Sequence, residues 1–202
     1  MQPSYAALVL RDPAQSLAEV RAQWGGESDL WVFGYASLIW RPEFEAAERH
    51  PAIVHGFHRA LEMRSRVNRG TPECPGLVFA LVRGGSCRGV AYRIAREHVN
   101  EQLERLWQRE MPTGVYDPRW LRCATPHSRV SALAFTLDRK SPSFTGPIAD
   151  LEMVAILSEA FGRYGSTLDY LLHTARCLSR HGIRDREIER LVALARMHGL
   201  TA

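Results

Sequence analysis

The sequence predicts an α+β fold rather than a doubly wound α/β sheet. Strand-like apolar runs occupy the chain from about residue 30 to residue 137, one amphipathic helix interrupts them, and the last quarter is helical. Helices that are segregated from strands along a chain favour α+β, whereas regular alternation favours a parallel sheet. A length of 202 residues, of which 46% are hydrophobic, suits one domain with a sizeable core.

The first 29 residues are expected to form a helical leader, and residues 30–202 a single domain. Weak helical periodicity runs from Asp12 to Trp24 and ends at the glycine pair 25–26, which favours a helix stop. We expect this helix to pack on the outside of the fold. Leu30–Phe33 is then predicted to be a buried strand, because it is apolar and a glycine follows it at once.

Two apolar runs in the middle of the chain predict a β-hairpin. They are Leu77–Val82 and Gly89–Ile94, and the intervening Gly84-Gly85-Ser86 is typical of a tight turn. A further strand is predicted at Arg129–Leu137, where apolar and polar residues partly alternate after Pro126.

Three helices are predicted in the last quarter. They cover Ile148–Phe161, Ser166–Arg180 and Asp185–Gly199. Ser166 is the expected N-cap of the second helix, and Asp169 takes the capping-box position three residues later. An aspartate at the start and a glycine at the end delimit the third helix in the same way.

The helix predicted at Glu97–Met111 carries a carboxylate on its buried face. The apolar residues of that face fall on one stripe at about 100° per residue: Val99, Leu103, Leu106 and Trp107. Glu110 lies inside the stripe, and Pro112 ends the helix beside it, near the negative end of the helix dipole. Burial and the dipole should both raise the pKa of Glu110, as a general acid or base requires. The alternative is a boundary carboxylate paired with Arg109 or another arginine.

Composition indicates a cytoplasmic protein with no membrane partner. The longest apolar run, Leu77–Val82, is far too short to cross a bilayer. No basic residue precedes Arg11, which argues against a secretory signal. The cysteines are widely spaced without a C-x-x-C pair, so we expect them to be reduced: Cys74, Cys87, Cys123 and Cys177.

The net charge of +4 raises the question of a nucleic-acid partner. The densest basic cluster has only Phe57 as a nearby aromatic residue: Arg59, Arg64, Arg66 and Arg69. A small anionic substrate explains this cluster more simply, so no nucleic-acid partner is expected. His55 and His58 lack a carboxylate or cysteine at ligand spacing, and no metal site is predicted.

A strand that runs into a Gly-Tyr-small-Ser-Leu turn is the second feature with chemical meaning. In Val32–Trp40, successive backbone N–H groups of such a turn can bind a carboxylate or an oxyanion. Together with later blocks, this segment closely resembles the ChaC-type glutathione-specific γ-glutamylcyclotransferases. The blocks keep that family's order from about Leu30 to the end: Phe33–Trp40, Gly56–Arg59, Arg69–Thr71 with Pro75–Gly76, Gly89–Arg93, Trp107–Met111 with Gly114–Tyr116, and Gly165–Thr167 with Tyr170–Leu172.

The resemblance implies a small mixed β-barrel or sheet packed with α-helices, and a reaction without cofactor or metal. The family cleaves glutathione to 5-oxoproline and cysteinylglycine, and its catalytic glutamate corresponds to Glu110. Residues that match its substrate-binding positions are Gly34, Tyr35, Ala36, Ser37, Leu38, Arg64, Tyr116 and Tyr170. Arg64 and Arg59 are weaker correspondences, and the alternative for both is a surface or structural arginine.

Ala36 departs from the family, which usually has glycine at this position. A positive φ would strain the alanine by about 1–2 kcal/mol, whereas a negative φ would let its methyl group tighten the pocket. Two alternative functions stay open: a cyclotransferase for other γ-glutamyl amino acids or amines, and a non-catalytic accessory protein associated with cation transport. An accessory protein would not need a carboxylate at Glu110.

Overall fold

The computed structural model describes residues 11–201, and it confirms the expected α+β fold as a closed five-stranded β-barrel packed with helices. The barrel strands are β1 (Leu30–Gly34), β2 (Glu48–Ser65), β3 (Gly76–Ile94), β4 (Asp117–Ala124) and β5 (Arg129–Thr136). The helices are α1 (Pro13–Trp24), α2 (Ser37–Trp40), α3 (Val99–Glu110), α4 (Asp150–Glu159), α5 (Thr167–Arg180) and α6 (Arg186–Met197). A 3₁₀ turn, Arg96–His98, leads into α3, and β6 (Phe161–Gly162) pairs with β7 (Gly165–Ser166) as a separate two-stranded hairpin.

Strand β1 closes the barrel, because it pairs antiparallel with β3 on one side and parallel with β5 on the other. The remaining order is β3-β2-β4-β5, with antiparallel neighbours. Its apolar interior is continuous with the buried faces of the helices, and Phe33, Phe79 and Phe135 are among the largest fully buried side chains. The site described below lies where β1 leaves this core.

The hairpin predicted within residues 77–94 is wrong. These residues belong to one 19-residue strand, β3, which runs antiparallel to β2 from Arg93 opposite Glu48 to Gly76 opposite Ser65. Gly84 and Gly85 have positive φ angles of 110° and 67°, but they bend the strand instead of reversing it. The pairing register between β2 and β3 shifts at this point, between His55 and Phe57 on β2. The two glycines therefore lie in a β-bulge within one long pair of strands.

The helix boundaries agree better with the sequence. Ser166 caps α5 in a complete capping box with Asp169, as expected. The Asp185 carboxylate accepts a hydrogen bond from the Ile188 N–H (3.1 Å) at the start of α6. Helix α3 covers Val99–Glu110, slightly shorter at both ends than the predicted Glu97–Met111, and Glu110 lies in its last turn as expected. These signals succeed because a cap needs only residues close together in the chain.

The first helix of the last quarter is shorter than predicted. Helix α4 ends at Glu159, and Phe161–Gly162 forms strand β6 instead of the last helical turn. A Cβ atom on Gly162 would lie 2.4 Å from the Gly70 backbone nitrogen. The close approach of this hairpin to the loop at 66–75 therefore ends the helix, and no local pattern in the chain announces it.

The helix predicted at Asp12–Trp24 is confirmed as α1 (Pro13–Trp24), whose C-cap is Gly25 with φ 78°. Its Arg21 forms an ion pair with Glu104 (2.8 Å) on the outer face of α3. The part of the predicted leader before residue 11 lies outside the described residues. Within residues 11–201, no helix combines the length and the apolar character needed to span a membrane.

Candidate active site

A small, partly open cavity lies where β1, α2, α3 and α5 meet. Its lining residues are Tyr35, Ala36, Ser37, Leu38, Phe79, Glu110, Tyr116, Phe135 and Tyr170. The cavity thus brings together every predicted site residue except Gly34 and Arg64. Because these residues come from distant parts of the chain, the barrel and its helices create the site jointly.

The turn after β1 forms one wall of the cavity. Gly34 pairs with Val90 in the barrel, and a Cβ atom there would lie 3.0 Å from the Tyr92 ring and 3.1 Å from the Leu38 Cβ. Glycine therefore lets the end of the strand pack under the turn. Ala36 has a φ of −142°, so the left-handed strain considered above does not arise, and the residue lines the cavity.

Glu110 reaches the cavity from the last turn of α3. Its side chain is 13% exposed, and its carboxylate accepts a hydrogen bond from the Arg109 Nε (2.7 Å). Burial raises the pKa of Glu110, while the Arg109 guanidinium opposes that rise without cancelling it. Both sequence interpretations thus hold at once, because the residue is an arginine-paired boundary carboxylate and a cavity carboxylate of raised pKa.

Arg109 holds the end of α3 against the turn after β1. Its Nη2 donates to the Ser37 hydroxyl (3.1 Å), and its Nη1 donates to the Arg41 carbonyl and to Glu43 (3.1 Å). One guanidinium therefore connects the Glu110 carboxylate, the turn and the segment that follows α2. The sequence indicated a pairing with Glu110, but it contained no signal for the contact with Ser37.

Three tyrosines provide neutral hydroxyl groups around Glu110. The Tyr35 hydroxyl donates to the Phe135 carbonyl (3.0 Å). Burial raises the pKa of Tyr35 and Tyr116 well above the ordinary value for tyrosine, and it raises the pKa of Tyr170 to about 12. The nearby Glu110 carboxylate acts in the same direction on all three, so they remain protonated over the physiological range.

Two arginines that the resemblance suggested for substrate binding lie outside the cavity. Arg64 forms an ion pair with Glu152 on α4 (3.1 Å) and does not line the cavity. Arg59 is buried, donates to the Arg88 carbonyl (2.8 Å from Nη2) and approaches Asp185 at 3.4 Å. Its contacts join β2 and β3 to the start of α6, which is a structural role.

Neither a thiol nor a metal cluster accompanies the cavity in the described chain. Burial raises the pKa of Cys87 to about 11 and that of Cys123 to about 12, so both thiols are poor nucleophiles. Within residues 11–201, no group of three or more His, Cys, Asp or Glu side chains is arranged to hold a metal ion. Phe79 and Phe135 were not expected in the site, since in the sequence they are indistinguishable from other apolar strand residues.

Comparison with known proteins identifies the family. Residues 30–198 match the model of the family described as ChaC-like protein. The glutathione-specific γ-glutamylcyclotransferase of Escherichia coli K12 is 35% identical over 173 residues, covering 85% of this chain and 75% of that protein. The glutathione-specific γ-glutamylcyclotransferase 1 of Mus musculus is 32% identical over 187 residues, with coverage of 89% and 84%.

A solved structure agrees with the fold. The γ-glutamylcyclotransferase specific to glutathione from yeast superposes with a TM-score of 0.76 at 23% identity, covering 85% of this chain and 97% of that chain. At this identity the likeness concerns the fold alone. The family match spans the barrel, the cavity and the C-terminal helices, and we conclude that this chain belongs to the ChaC-like family.

Proposed function

We propose that this protein is a glutathione-specific γ-glutamylcyclotransferase, which cleaves glutathione to 5-oxoproline and cysteinylglycine. The observation that carries the proposal is a carboxyl group of raised pKa, Glu110, facing a cavity beside the turn after β1. The names of the two relatives given above support this choice of substrate.

The cavity has groups suited to the γ-glutamyl end of the substrate. The hydroxyls of Tyr116 and Tyr170 are neutral donors that can anchor its α-carboxylate. Backbone N–H groups in the turn of Tyr35–Leu38 are the proposed donors to the γ-carbonyl oxygen as negative charge develops there. The methyl group of Ala36 narrows the cavity at this wall.

The substrate brings its own nucleophile. The α-amine attacks the γ-carbonyl carbon, a new C–N bond closes the five-membered ring, and the bond to the cysteinyl nitrogen breaks. Holding two such groups in position can be worth about 7–11 kcal/mol, so an enzyme nucleophile is not required. Glu110 takes a proton from the α-ammonium and returns one to the leaving nitrogen, which a carboxyl of raised pKa can do near neutrality.

The expectations about nucleic acid, cellular compartment and domain division are part of the same proposal. Most of the basic cluster considered for nucleic acid is engaged in internal contacts, since Arg59 and Arg69 are buried and Arg64 is paired with Glu152. Four free cysteines suit a reducing compartment such as the cytoplasm. We propose the same division of the chain as before, a leader at 1–29 and one catalytic domain at 30–202, and the family match from residue 30 supports it.

The test is to incubate the purified protein and its Glu110→Gln variant with millimolar glutathione and to quantify 5-oxoproline and cysteinylglycine. We expect product from the wild type and a rate reduced by about 10²–10⁴-fold in the variant, because glutamine keeps the shape but cannot transfer the proton. Glu101→Gln is the matched control, since Glu101 lies on the exposed face of the same helix.

The outcomes separate the possibilities. Product from other γ-glutamyl amino acids or amines but not from glutathione would favour the broader cyclotransferase. No product from any γ-glutamyl compound would favour the non-catalytic accessory protein. Equal turnover by Glu110→Gln would remove Glu110 from the mechanism, and a large loss of thermal stability in that variant would indicate that its ion pair with Arg109 is mainly structural.

A further inference from the structure

The β6–β7 hairpin holds an exposed tyrosine between two guanidinium groups. Tyr164 is 48% exposed, and the Arg41 Cζ and the Arg163 Cζ lie 5.6 Å and 5.3 Å from the centroid of its ring. We call these three residues the arginine–tyrosine rim. Stacking on an aromatic ring orients a guanidinium while leaving its N–H edge available to a ligand.

The rim is connected to the Glu110 side of the cavity. Arg109 donates from Nε to Glu110 (2.7 Å), and from Nη1 to the main-chain carbonyl of Arg41. The Arg41 N–H in turn donates to the carbonyl of Ser37, which lines the cavity (2.8 Å). The backbone of Arg41 is therefore fixed to the same turn and the same guanidinium that position the carboxylate.

The rim is also connected to the Tyr170 wall of the cavity. The Arg69 Cζ lies 5.0 Å from the ring centroid of Tyr170, a lining residue. The Nη1 of the same arginine donates to the main-chain carbonyl of Tyr164. A single buried guanidinium thus bridges a residue of the cavity wall and the rim, so the rim lies one side chain away from that wall.

The rim retains positive charge that internal carboxylates do not neutralise. Among residues 11–201, no carboxylate lies within salt-bridge distance of Arg163, whose side chain is exposed. Glu43 pairs with Arg41 (2.5 Å) and with Arg109 (3.1 Å), and Arg109 also pairs with Glu110 (2.7 Å). The unpaired positive charge of the rim therefore lies on Arg163. An anion at the rim would gain a charged partner without displacing every existing ion pair.

We propose that the arginine–tyrosine rim binds the glycyl carboxylate of glutathione, with Arg163 as the principal partner and Arg41 as the second. This inference rests on the proposed function. The glycyl carboxylate lies about two residue lengths, or ~7 Å, beyond the scissile carbonyl, so it must emerge from a small cavity at its opening. A guanidinium can bind a carboxylate through two parallel hydrogen bonds. The rim would then distinguish glutathione from γ-glutamyl amines, which lack this carboxylate.

The experiment combines a change in the protein with a change in the substrate. The value of kcat/KM is measured for glutathione and for its analogue with an amidated glycyl carboxylate, using wild type, Arg163→Gln and Arg41→Gln. We expect amidation to lower the wild-type kcat/KM by about 10-fold or more, as for the loss of a charged hydrogen bond. In Arg163→Gln the same amidation should change kcat/KM by less than about 3-fold. The variant should have a lower kcat/KM than wild type for glutathione, and an unchanged kcat/KM for the amidated analogue.

Two further variants complete the design. Arg163→Lys keeps the charge but not the bidentate geometry, so it should restore part of the discrimination. Arg184→Gln is the control for removing one positive charge, since Arg184 is 88% exposed and paired with Glu189 on α6. The Arg163 side chain makes no hydrogen bond among the described residues, and its backbone N–H keeps the Val67 carbonyl as acceptor (2.8 Å) in the variant. The replacement is therefore not expected to disturb folding, and thermal unfolding checks this.

Each outcome has one meaning. If wild type forms 5-oxoproline from glutathione but both rim variants keep the wild-type ratio between the two substrates, the rim is not the carboxylate site and the proposed function stands. The inference would also be overturned if the wild-type enzyme had the same kcat/KM for glutathione and for the amidated analogue. If wild type forms no product from either substrate, the proposed function fails and the inference fails with it.

Discussion

The Glu110 carboxyl is subject to two opposed influences. Burial raises its pKa, and the adjacent Arg109 guanidinium lowers it. In the proposed mechanism the carboxylate form accepts the first proton, so kcat/KM should fall as the pH drops through the pKa of Glu110. The position of this acidic limb therefore reports the balance between burial and the arginine.

Arg109→Gln should move the acidic limb of the pH profile of kcat/KM to higher pH. The variant removes a positive charge that favours the carboxylate, so the pKa of Glu110 rises further. The measurement is kcat/KM against pH for wild type and variant. Arg105→Gln serves as the control, because Arg105 pairs with Glu101 on the exposed face of α3. A limb that stays in place or moves to lower pH would show that Arg109 does not tune Glu110.

Ser37→Ala should have a mild effect on turnover. The Ser37 hydroxyl accepts one hydrogen bond from Arg109 (3.1 Å), whereas the backbone groups of the turn do not depend on it. Loss of one such bond is worth about 1–2 kcal/mol, or roughly 5- to 30-fold in kcat/KM. The steady-state rates of Ser37→Ala and Glu110→Gln are compared with wild type. If the two losses are equally severe, the hydroxyl itself takes part in the reaction.

At the scale of elements, three glycines let the loop at 66–75 lie against the start of β3 and let the β6–β7 hairpin lie against that loop. Added Cβ atoms would lie 2.0 Å from the Gly76 nitrogen at Gly70, 1.9 Å from the Arg69 carbonyl oxygen at Gly76, and 2.4 Å from the Gly70 nitrogen at Gly162. Backbone meets backbone at each contact, so no side-chain rotation can make room. These contacts give a structural reason for the glycines at 70 and 76, which the sequence presented only as parts of motif blocks.

Gly162→Ala should displace the hairpin and destabilise the protein by about 3 kcal/mol, as overpacking against rigid atoms does. Thermal unfolding measures the loss. Gly182→Ala is the matched control, because its added Cβ would meet nothing within 4 Å and only its φ of 66° is unfavourable, at about 1 kcal/mol. Equal destabilisation by the two variants would contradict steric docking of the hairpin. Since the hairpin carries Tyr164, KM for glutathione should also rise in Gly162→Ala.

At the scale of the whole molecule, charge favours an anionic substrate. The chain has a net charge of +4 and a pI near 9.1, and two of its arginines, Arg41 and Arg163, lie together at the Tyr164 ring. Glutathione carries two carboxylates and one ammonium group near neutral pH, so it is a net anion. Salt screens such attraction, with a Debye length of about 10 Å at 0.1 M.

We therefore expect kcat/KM for glutathione to fall as ionic strength rises, with kcat nearly constant. Screening weakens the capture of the anion but has little effect on groups already in contact with the bound substrate. Steady-state kinetics across a salt series tests this, and the analogue with an amidated glycyl carboxylate, which has no net charge, is the control. Identical salt dependence for the two substrates would contradict an electrostatic contribution to capture.

Signals between neighbouring residues predicted the helices well, but they did not predict which strands pair with each other. Ser166 and Asp185 capped helices where expected, because a cap involves neighbours in the chain. The paired glycines at 84–85 suggested a turn, yet they lie within a strand whose partner is β2. Strand β2 was not predicted, since its polar residues and a proline obscure the alternation of a strand.

The sequence by itself determined the helix that ends at Glu110, its apolar stripe, the turn after Gly34 and the order of the family blocks. These features depend on the spacing of residues along the chain, which can be read from the sequence. Only the tertiary structure decided that Tyr116 and Tyr170 line the same cavity as Glu110, that Arg64 pairs with Glu152, and that the hairpin brings Arg163 and Tyr164 next to Arg41. Such contacts join residues far apart in the chain, so they exist only once the barrel has closed.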